Sequence, residues 1–258
     1  TLPTSSWMPY RWSLNNVVMA EVAHTSLAFW QADRPDAALS LFKGCVLDSM
    51  FLGECPGNVG MSSYFDMARR EAQRDFGDAI GVCSRVVVEG LFGVHPDALA
   101  GELLVRPGFP AGWERAAMRH PDFTVAFRRD GLKESFSIEP KFSRAMALWL
   151  EVPALRDRIV SVTVNGRSVR WSALADSVGT PRIRIESPAT AAFEVVIVWQ
   201  GQPIVAGFES APIAAAGEEF RSGTLGAKVL EIADPQGALS RLTLGTNSFR
   251  AATIGAPG

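Results

Sequence analysis

The spacing of apolar positions along the chain changes period near residue 95. Over residues 13–93 the large apolar side chains recur at helical spacing, and from residue 102 onward they alternate in short runs. Residues 15–31 place Val17, Val18, Val22, Leu27 and Trp30 among few charges, which predicts a helix apolar on most sides and therefore buried. Asp33-Arg34-Pro35 restarts the chain, with Asp33 as a helix cap and Pro35 in a first turn. A second helix is predicted over residues 37–52. Residues 53–60, with three glycines and a proline, form a shaped loop. Ser62 or Ser63 then offers a cap for a charged helix through residues 65–74. A last buried helix is predicted over residues 78–92, with Gly93 placed to stop it.

The second half reads as strands at residues 103–105, 123–127, 135–138, 145–152, 159–164, 182–185 and 193–199. Asn165-Gly166 between two such runs suits a type I′ hairpin turn. Strands at this spacing suggest an antiparallel sandwich. Residues 201–222, rich in Ala, Gly and Pro, read as a linker or edge segment. Residues 225–232 and 239–244 are expected to pair as a hairpin across Asp234-Pro235-Gln236-Gly237, and residues 251–258 to be disordered.

Composition narrows the function classes. A net charge of −2 gives no electrostatic case for binding nucleic acid or an anionic membrane. No run reaches the roughly 20 apolar residues of a membrane span. No signal peptide is visible, and a chain opening Thr1-Leu2-Pro3 is expected to be processed, trimmed or a fragment. Cys45 and Cys83 sit in apolar helical runs, as small buried hydrophobes, whereas Cys55 lies in the Gly/Pro loop. His24 lies mid-helix among apolar residues, and His95 and His120 stand beside Pro96 and Pro121 as loop residues. No metal site and no cofactor are expected from three scattered histidines without a cysteine pair. No phosphate loop, dinucleotide fingerprint or hydrolase elbow occurs; the glycines of Gly77-Asp78-Ala79-Ile80-Gly81 read as helix-packing positions.

One stretch of the chain carries a family resemblance. An apolar helix opens after aromatic residues (Tyr10-Arg11-Trp12-Ser13-Leu14-Asn15-Asn16), and a second follows a short turn (Asp36-Ala37-Ala38-Leu39-Ser40-Leu41). A glycine-bearing loop carries a carboxylate (Gly53-Glu54). A last helix begins near Asp75-Phe76-Gly77-Asp78 and ends in Leu91-Phe92-Gly93-Val94, and the strand Leu103-Leu104-Val105-Arg106-Pro107 follows. In this order residues 10–127 resemble the end of a six-hairpin (α/α) toroid glycoside hydrolase of the α-L-rhamnosidase-like group, with the β-sandwich that follows it. The resemblance implies an α+β multidomain chain. Residues 1–95 would be the last hairpins of an incomplete toroid, residues 96–200 a β-sandwich, and residues 201–258 a linker and β-rich C-terminal segment. It implies a bacterial enzyme, periplasmic or secreted, whose toroid is completed by a preceding segment or a second chain. The reaction implied is hydrolysis of glycosidic bonds with inversion. A non-catalytic carbohydrate-binding or scaffold protein of the same fold stays open. So does a polysaccharide lyase, for which the chain has few tyrosines.

Inversion requires an acid and a base about 6.5–9.5 Å apart. Glu54, in its Gly-rich loop, is the first candidate for the base, and a solvated loop glutamate explains it equally well. Asp75 and Asp78 are the second candidates. Capping by Asp78 and pairing of Asp75 with Arg69, Arg70 or Arg74 account for them more readily. Trp7, Tyr10 and Trp12 are candidates for a sugar-stacking platform, or for plugs in the toroid wall. Arg11, Asn15 and Asn16 are candidates for hydrogen bonds to sugar hydroxyls.

Overall fold

The structure, a computed structural model, describes residues 16–52, 62–66, 71–74, 77–174, 177, 180–204, 220–223, 239–240, 243–244, 248–251 and 253–254. The chain is α+β and divides into two compact units, residues 1–202 and residues 203–258.

The first unit opens with strand β1 (Asn16–Val18) and helix α1 (Met19–Gln31). Helix α2 (Pro35–Val46) follows a tight turn and widens into π-helical turns over Leu47–Leu52. Pro35 occupies the first turn as expected, where its missing N–H costs no bond. Asp33 does not cap α2: it takes a left-handed conformation (φ 56°) that frees its carboxylate for another partner. Ser26 Oγ donates to the Ala38 carbonyl at 2.7 Å and fastens the two helices side by side.

The charged helix expected over residues 65–74 is instead an antiparallel pair, β2 (Ser62–Asp66) and β3 (Glu71–Arg74), with β1 joining on the β2 side. The Ser-Ser-Tyr-Phe run has strand propensity, and β1 supplies an edge for it to pair with; tertiary pairing overrides a pattern of charges that read as helical. Helix α3 (Gly77–Arg85) continues as π-helical turns over Val86–Leu91, and the chain leaves at Gly93 (φ 64°). A side chain on Gly93 would collide with the Arg106 carbonyl, so the position is closed to other residues by both φ and contact.

The strands are β4 (Val94–Asp97), β5 (Glu102–Val105), β6 (Arg115–His120), β7 (Phe123–Asp130), β8 (Lys133–Pro140), β9 (Ala147–Pro153), β10 (Arg156–Val164), β11 (Arg167–Ser168), β12 (Trp171–Ala173), β13 (Arg182–Ser187) and β14 (Phe193–Pro203). They form two sheets in which antiparallel pairs dominate: six strands in the order β11-β10-β14-β8-β7-β6, and five in the order β12-β13-β9-β5-β4, where β5 and β9 run parallel. Every strand expected from residue 103 to residue 199 is present. The Asn165-Gly166 turn has both residues at positive φ, as a type I′ turn requires. His95 and His120 lie in strands β4 and β6 rather than in loops. Inward-facing residues of both sheets, such as Leu103, Leu148, Ile185, Phe136, Val195 and Trp199, join one core with Trp30, Val86 and Phe92 of the helical part.

Residues 91–113 lock helices to sheets. Leu91 and Gly93 carbonyls accept from Gly108 (3.1 Å) and Arg106 (2.8 Å) N–H groups. The Trp30 indole N–H donates to the Gly108 carbonyl at 2.8 Å, and a side chain at position 108 would strike the Trp30 ring. Phe109 sits edge-on to Phe92 (5.3 Å) and stacks on Phe127 (5.1 Å) and Trp113 (6.1 Å).

In the second unit, Phe220–Gly223 pairs with Ser248–Ala251, which also pairs with Thr243–Leu244, and Leu239–Ser240 pairs with Thr253–Ile254. Residues 225–232, expected to pair with residues 239–244, lie outside the described residues, and residues 251, 253 and 254 are strand rather than disordered. The backbone groups of Leu239–Ser240 and Thr243–Leu244 find their partners in the last segment of the chain.

Candidate functional site

Of the predicted site residues, Trp7, Tyr10, Arg11, Trp12, Asn15, Glu54 and Asp75 lie outside the described residues. Asn16 and Asp78 are placed by their backbone: Asn16 opens β1, and Asp78 is the second residue of α3. Cross-strand register sets Asn16 opposite Asp66, and Asp66 opposite Glu71. Strand β2 packs against α1, α3 and the π-helical turns that end α2. The start of α1, the end of the α2 extension and the start of α3 are thus gathered around one small sheet. Residues 53–61 and 75–76 leave from these helix ends.

The opposite end of the helical part holds a cluster of charged side chains that the sequence pattern did not single out. Asp33, at the α1–α2 turn, and Arg182, at the start of β13, have side chains only 4% and 5% exposed. Arg182 donates from Nε to both Asp33 carboxylate oxygens (3.0 and 3.1 Å) and again from Nη2, and its Nη1 donates to the Glu151 carbonyl at 3.3 Å. Arg106 Nη2 reaches Asp33 at 3.3 Å, and its Nη1 lies 3.9 Å from Glu151. Arg184 donates to Glu151 Oε1 from Nε (2.9 Å) and Nη2 (2.6 Å), and its Cζ stands 4.7 Å over the Trp149 ring. Strand register makes this arrangement: Arg184 is directly opposite Glu151 on the face of the five-stranded sheet that also carries Trp149 and Arg182.

This cluster joins; it does not react. Asp33 takes several guanidinium donors from Arg182 and Arg106, and Glu151 takes two from Arg184 on Oε1, with Arg106 3.9 Å from its Oε2. Two carboxylates and three guanidiniums in contact hold one another without an unpaired buried charge, which is the condition for charges to be tolerated in a dry joint. Its effect is to fix the α1–α2 turn to β9 and β13. The signal in the sequence was the placing of Glu151, Arg182 and Arg184 inside otherwise apolar strand patterns.

On the six-stranded sheet, Glu134 is buried and accepts from Arg129 Nε (2.9 Å) and from the Trp199 indole N–H (2.8 Å). At the start of β6, the edge strand of that sheet, an open depression of about 360 Å³ is lined by Gly112, Trp113, Glu114 and Arg115. Among the described residues no three His, Cys, Asp or Glu side chains come together as a metal-ligand group, and no described helix is long and apolar enough to cross a membrane. In the helical core the Cys45 thiol is pushed up by its hydrogen bond with Cys83 and by burial, while the Cys83 thiol is lowered by the same bond against the opposing effect of burial.

No protein-family model and no curated protein matches the chain. The solved structure of an α-L-rhamnosidase from Dictyoglumus thermophilum is similar to it at 14% identity with a TM-score of 0.34, over 47% of this chain and 14% of that one. The chain therefore spans a small fraction of the length of that enzyme.

Proposed function

We propose that this chain is part of a carbohydrate-active hydrolase that cleaves glycosidic bonds in oligo- or polysaccharides with inversion. In this reading residues 1–95 are the last hairpins of an (α/α) toroid, completed by a preceding segment or a second chain, and residues 96–200 are the β-sandwich fastened to it. The observation that carries the reading is the polarity of the helical part. One set of helix ends is pinned to the sheets by Asp33, Trp30 and the Gly93–Gly108 backbone. The other set gathers around β1, β2 and β3, where the segments bearing Glu54, Asp75 and Asp78 leave. Helices that act as walls, with irregular polar and aromatic segments at one rim, are the arrangement in which only the rim shapes a pocket. Leu47, Phe51 and Ile80 remain exposed on the helices and suit a wall that continues into further helices.

The roles follow from the chemistry of inversion. Glu54 is the base that activates water, and Asp75 and Asp78 are the second candidates for a catalytic carboxylate. Trp7, Tyr10 and Trp12 stack on sugar faces, with Arg11, Asn15 and Asn16 binding hydroxyls. Glu54→Gln keeps the side-chain shape and removes the proton acceptor. In the complete enzyme it is expected to lower kcat on the order of 10²–10⁴-fold with KM little changed, measured on a chromogenic glycoside panel. Full turnover in Glu54→Gln would remove Glu54 from the chemistry. Sugar binding by isothermal calorimetry without any turnover in the wild type would favour the non-catalytic binding protein instead.

A further inference from the structure

The six-stranded sheet carries positive charge on its open face that no carboxylate of the described residues offsets. Cross-strand register sets Arg115 of β6 directly opposite Arg128 of β7, with Ser135 of β8 next in the row. Both arginines are exposed, and neither forms an ion pair with a carboxylate of the described residues. Like charges directly opposite across two strands destabilise a sheet. An arginine on an edge strand such as β6 guards it against pairing with another chain, but Arg128 lies inside the sheet and has no edge to guard.

The start of β6 also borders the open depression of about 360 Å³ lined by Gly112, Trp113, Glu114 and Arg115. Its wall is held in place. The Trp113 backbone N–H donates to the Pro110 carbonyl at 3.0 Å, Arg129 Nη1 donates to the Ala111 carbonyl at 2.6 Å, and the Trp113 ring stacks on Phe109 at 6.1 Å. Trp113 is only half-buried, and its indole N–H donates to no group of the described residues. The Arg129 N–H bond to the Glu114 carbonyl (2.7 Å) extends the ladder, so alternation sends Glu114 to the face opposite Arg115.

We propose that this depression is a binding site for acidic saccharides, in which a sugar ring lies on Trp113 and its carboxylate is held by Arg115 and Arg128. Guanidinium groups match a carboxylate in fork geometry, and an anion between two of them removes their repulsion. The indole supplies an apolar surface for the C–H face of the ring and an N–H for a hydroxyl. An open depression, unlike an enclosed cavity, admits one unit of a chain that continues past it on both sides. The saccharide as ligand class rests on the carbohydrate-active reading above; the demand for negative charge rests on the arginines alone.

The test is isothermal titration calorimetry on the full chain. The probes are tetrasaccharides of galacturonate, glucuronate and mannuronate, each beside its carboxyl-reduced neutral counterpart, and inorganic phosphate. At least one uronate should bind about 10-fold or more tightly than its reduced counterpart and than phosphate, with an affinity that falls on adding NaCl. Arg115→Gln and Arg128→Gln should each weaken that binding by about 10-fold while leaving Tm within about 2 °C, since both side chains are exposed. Arg158→Gln, at an exposed position of β10 in the same sheet, should bind as the wild type does. No binding of any uronate, equal binding of acid and reduced forms, or phosphate binding as tightly as the uronates would overturn the proposal. So would an equal loss in Arg158→Gln, which would mean attraction to overall charge. Binding needs no turnover. Uronate binding by a complete protein that hydrolyses no glycoside would refute the hydrolase reading and leave this site standing, and hydrolysis without uronate binding would do the reverse.

Discussion

The two large sheets share one core but obey different rules along their strands. On the six-stranded sheet, β7, β8 and β14 alternate buried with accessible positions over most of their length, as expected of strands with one dry face and one wet face. On the five-stranded sheet, Leu150, Glu151 and Val152 are all buried in succession, and so are Arg182 and Ile183. The difference is the cover. The α1–α2 turn lies on the second face of β9 and β13 through Asp33, so residues that would otherwise face water are dry there. A buried face shared with a polar turn is met by charges in matched pairs, and a buried face inside the core is met by aliphatic side chains. Alternation therefore reads the environment of each face rather than the strand itself.

The largest expected effect is at the covered face. Asp33→Ala leaves Arg182 buried without its carboxylate and should cost about 3–5 kcal/mol, read from the urea midpoint at constant m-value. The double variant Asp33→Leu/Arg182→Met removes both charges and should be appreciably more stable than Asp33→Ala alone. Equal destabilisation in the two would show that packing, not an unpaired charge, dominates the joint.

A comparable loss is expected where the segment of residues 91–113 enters the core. Phe109→Ala removes the ring that bridges Phe92 and Phe127 and should cost roughly 3–5 kcal/mol. An unchanged thermal midpoint would mean that Trp113 refills the space. On the six-stranded sheet the effect of losing a charge should be smaller. Glu134→Ala strands the Trp199 N–H, but Arg129 is partly exposed and can rehydrate, so about 1–3 kcal/mol is expected by the same urea measurement. The smallest change is expected at the wet face. Ser137→Ala loses a hydrogen bond to the exposed Glu194 and should stay within about 0.5 kcal/mol of the wild type. If Ser137→Ala exceeded Glu134→Ala, the distinction between dry and wet faces of that sheet would fail.

The two halves of the chain were unequally legible. Strands from residue 103 to residue 199 were readable because one-sided burial imprints a period of two, and Asn165-Gly166 marks a turn that few other dipeptides permit. The pairing of β2 with β3 was not, because Asp66, Glu71 and Arg74 carry no apolar period, and only pairing between these segments and with β1 makes them strands. Strands β4 and β12 are short edge strands whose partners, β5 and β13, supply the hydrogen bonds that define them. The candidate rim was legible only as residue types in irregular segments; its geometry depends on how three helix ends meet, which no local spacing encodes.

By itself the sequence determined the switch from helices to sheets at Gly93, most of the strands and the dry faces of the six-stranded sheet. Each of these follows from local conformational preference or from a repeated period of burial. Only the tertiary structure decided that Asp33 serves Arg182 instead of capping α2, that Glu151 lies between Arg184 and Arg106, and that the Cys45 thiol packs on Met19. Those contacts join residues far apart in the chain. A charge or a thiol has the same appearance in a sequence whether its partner is water or a side chain many residues away, and burial alone makes the difference.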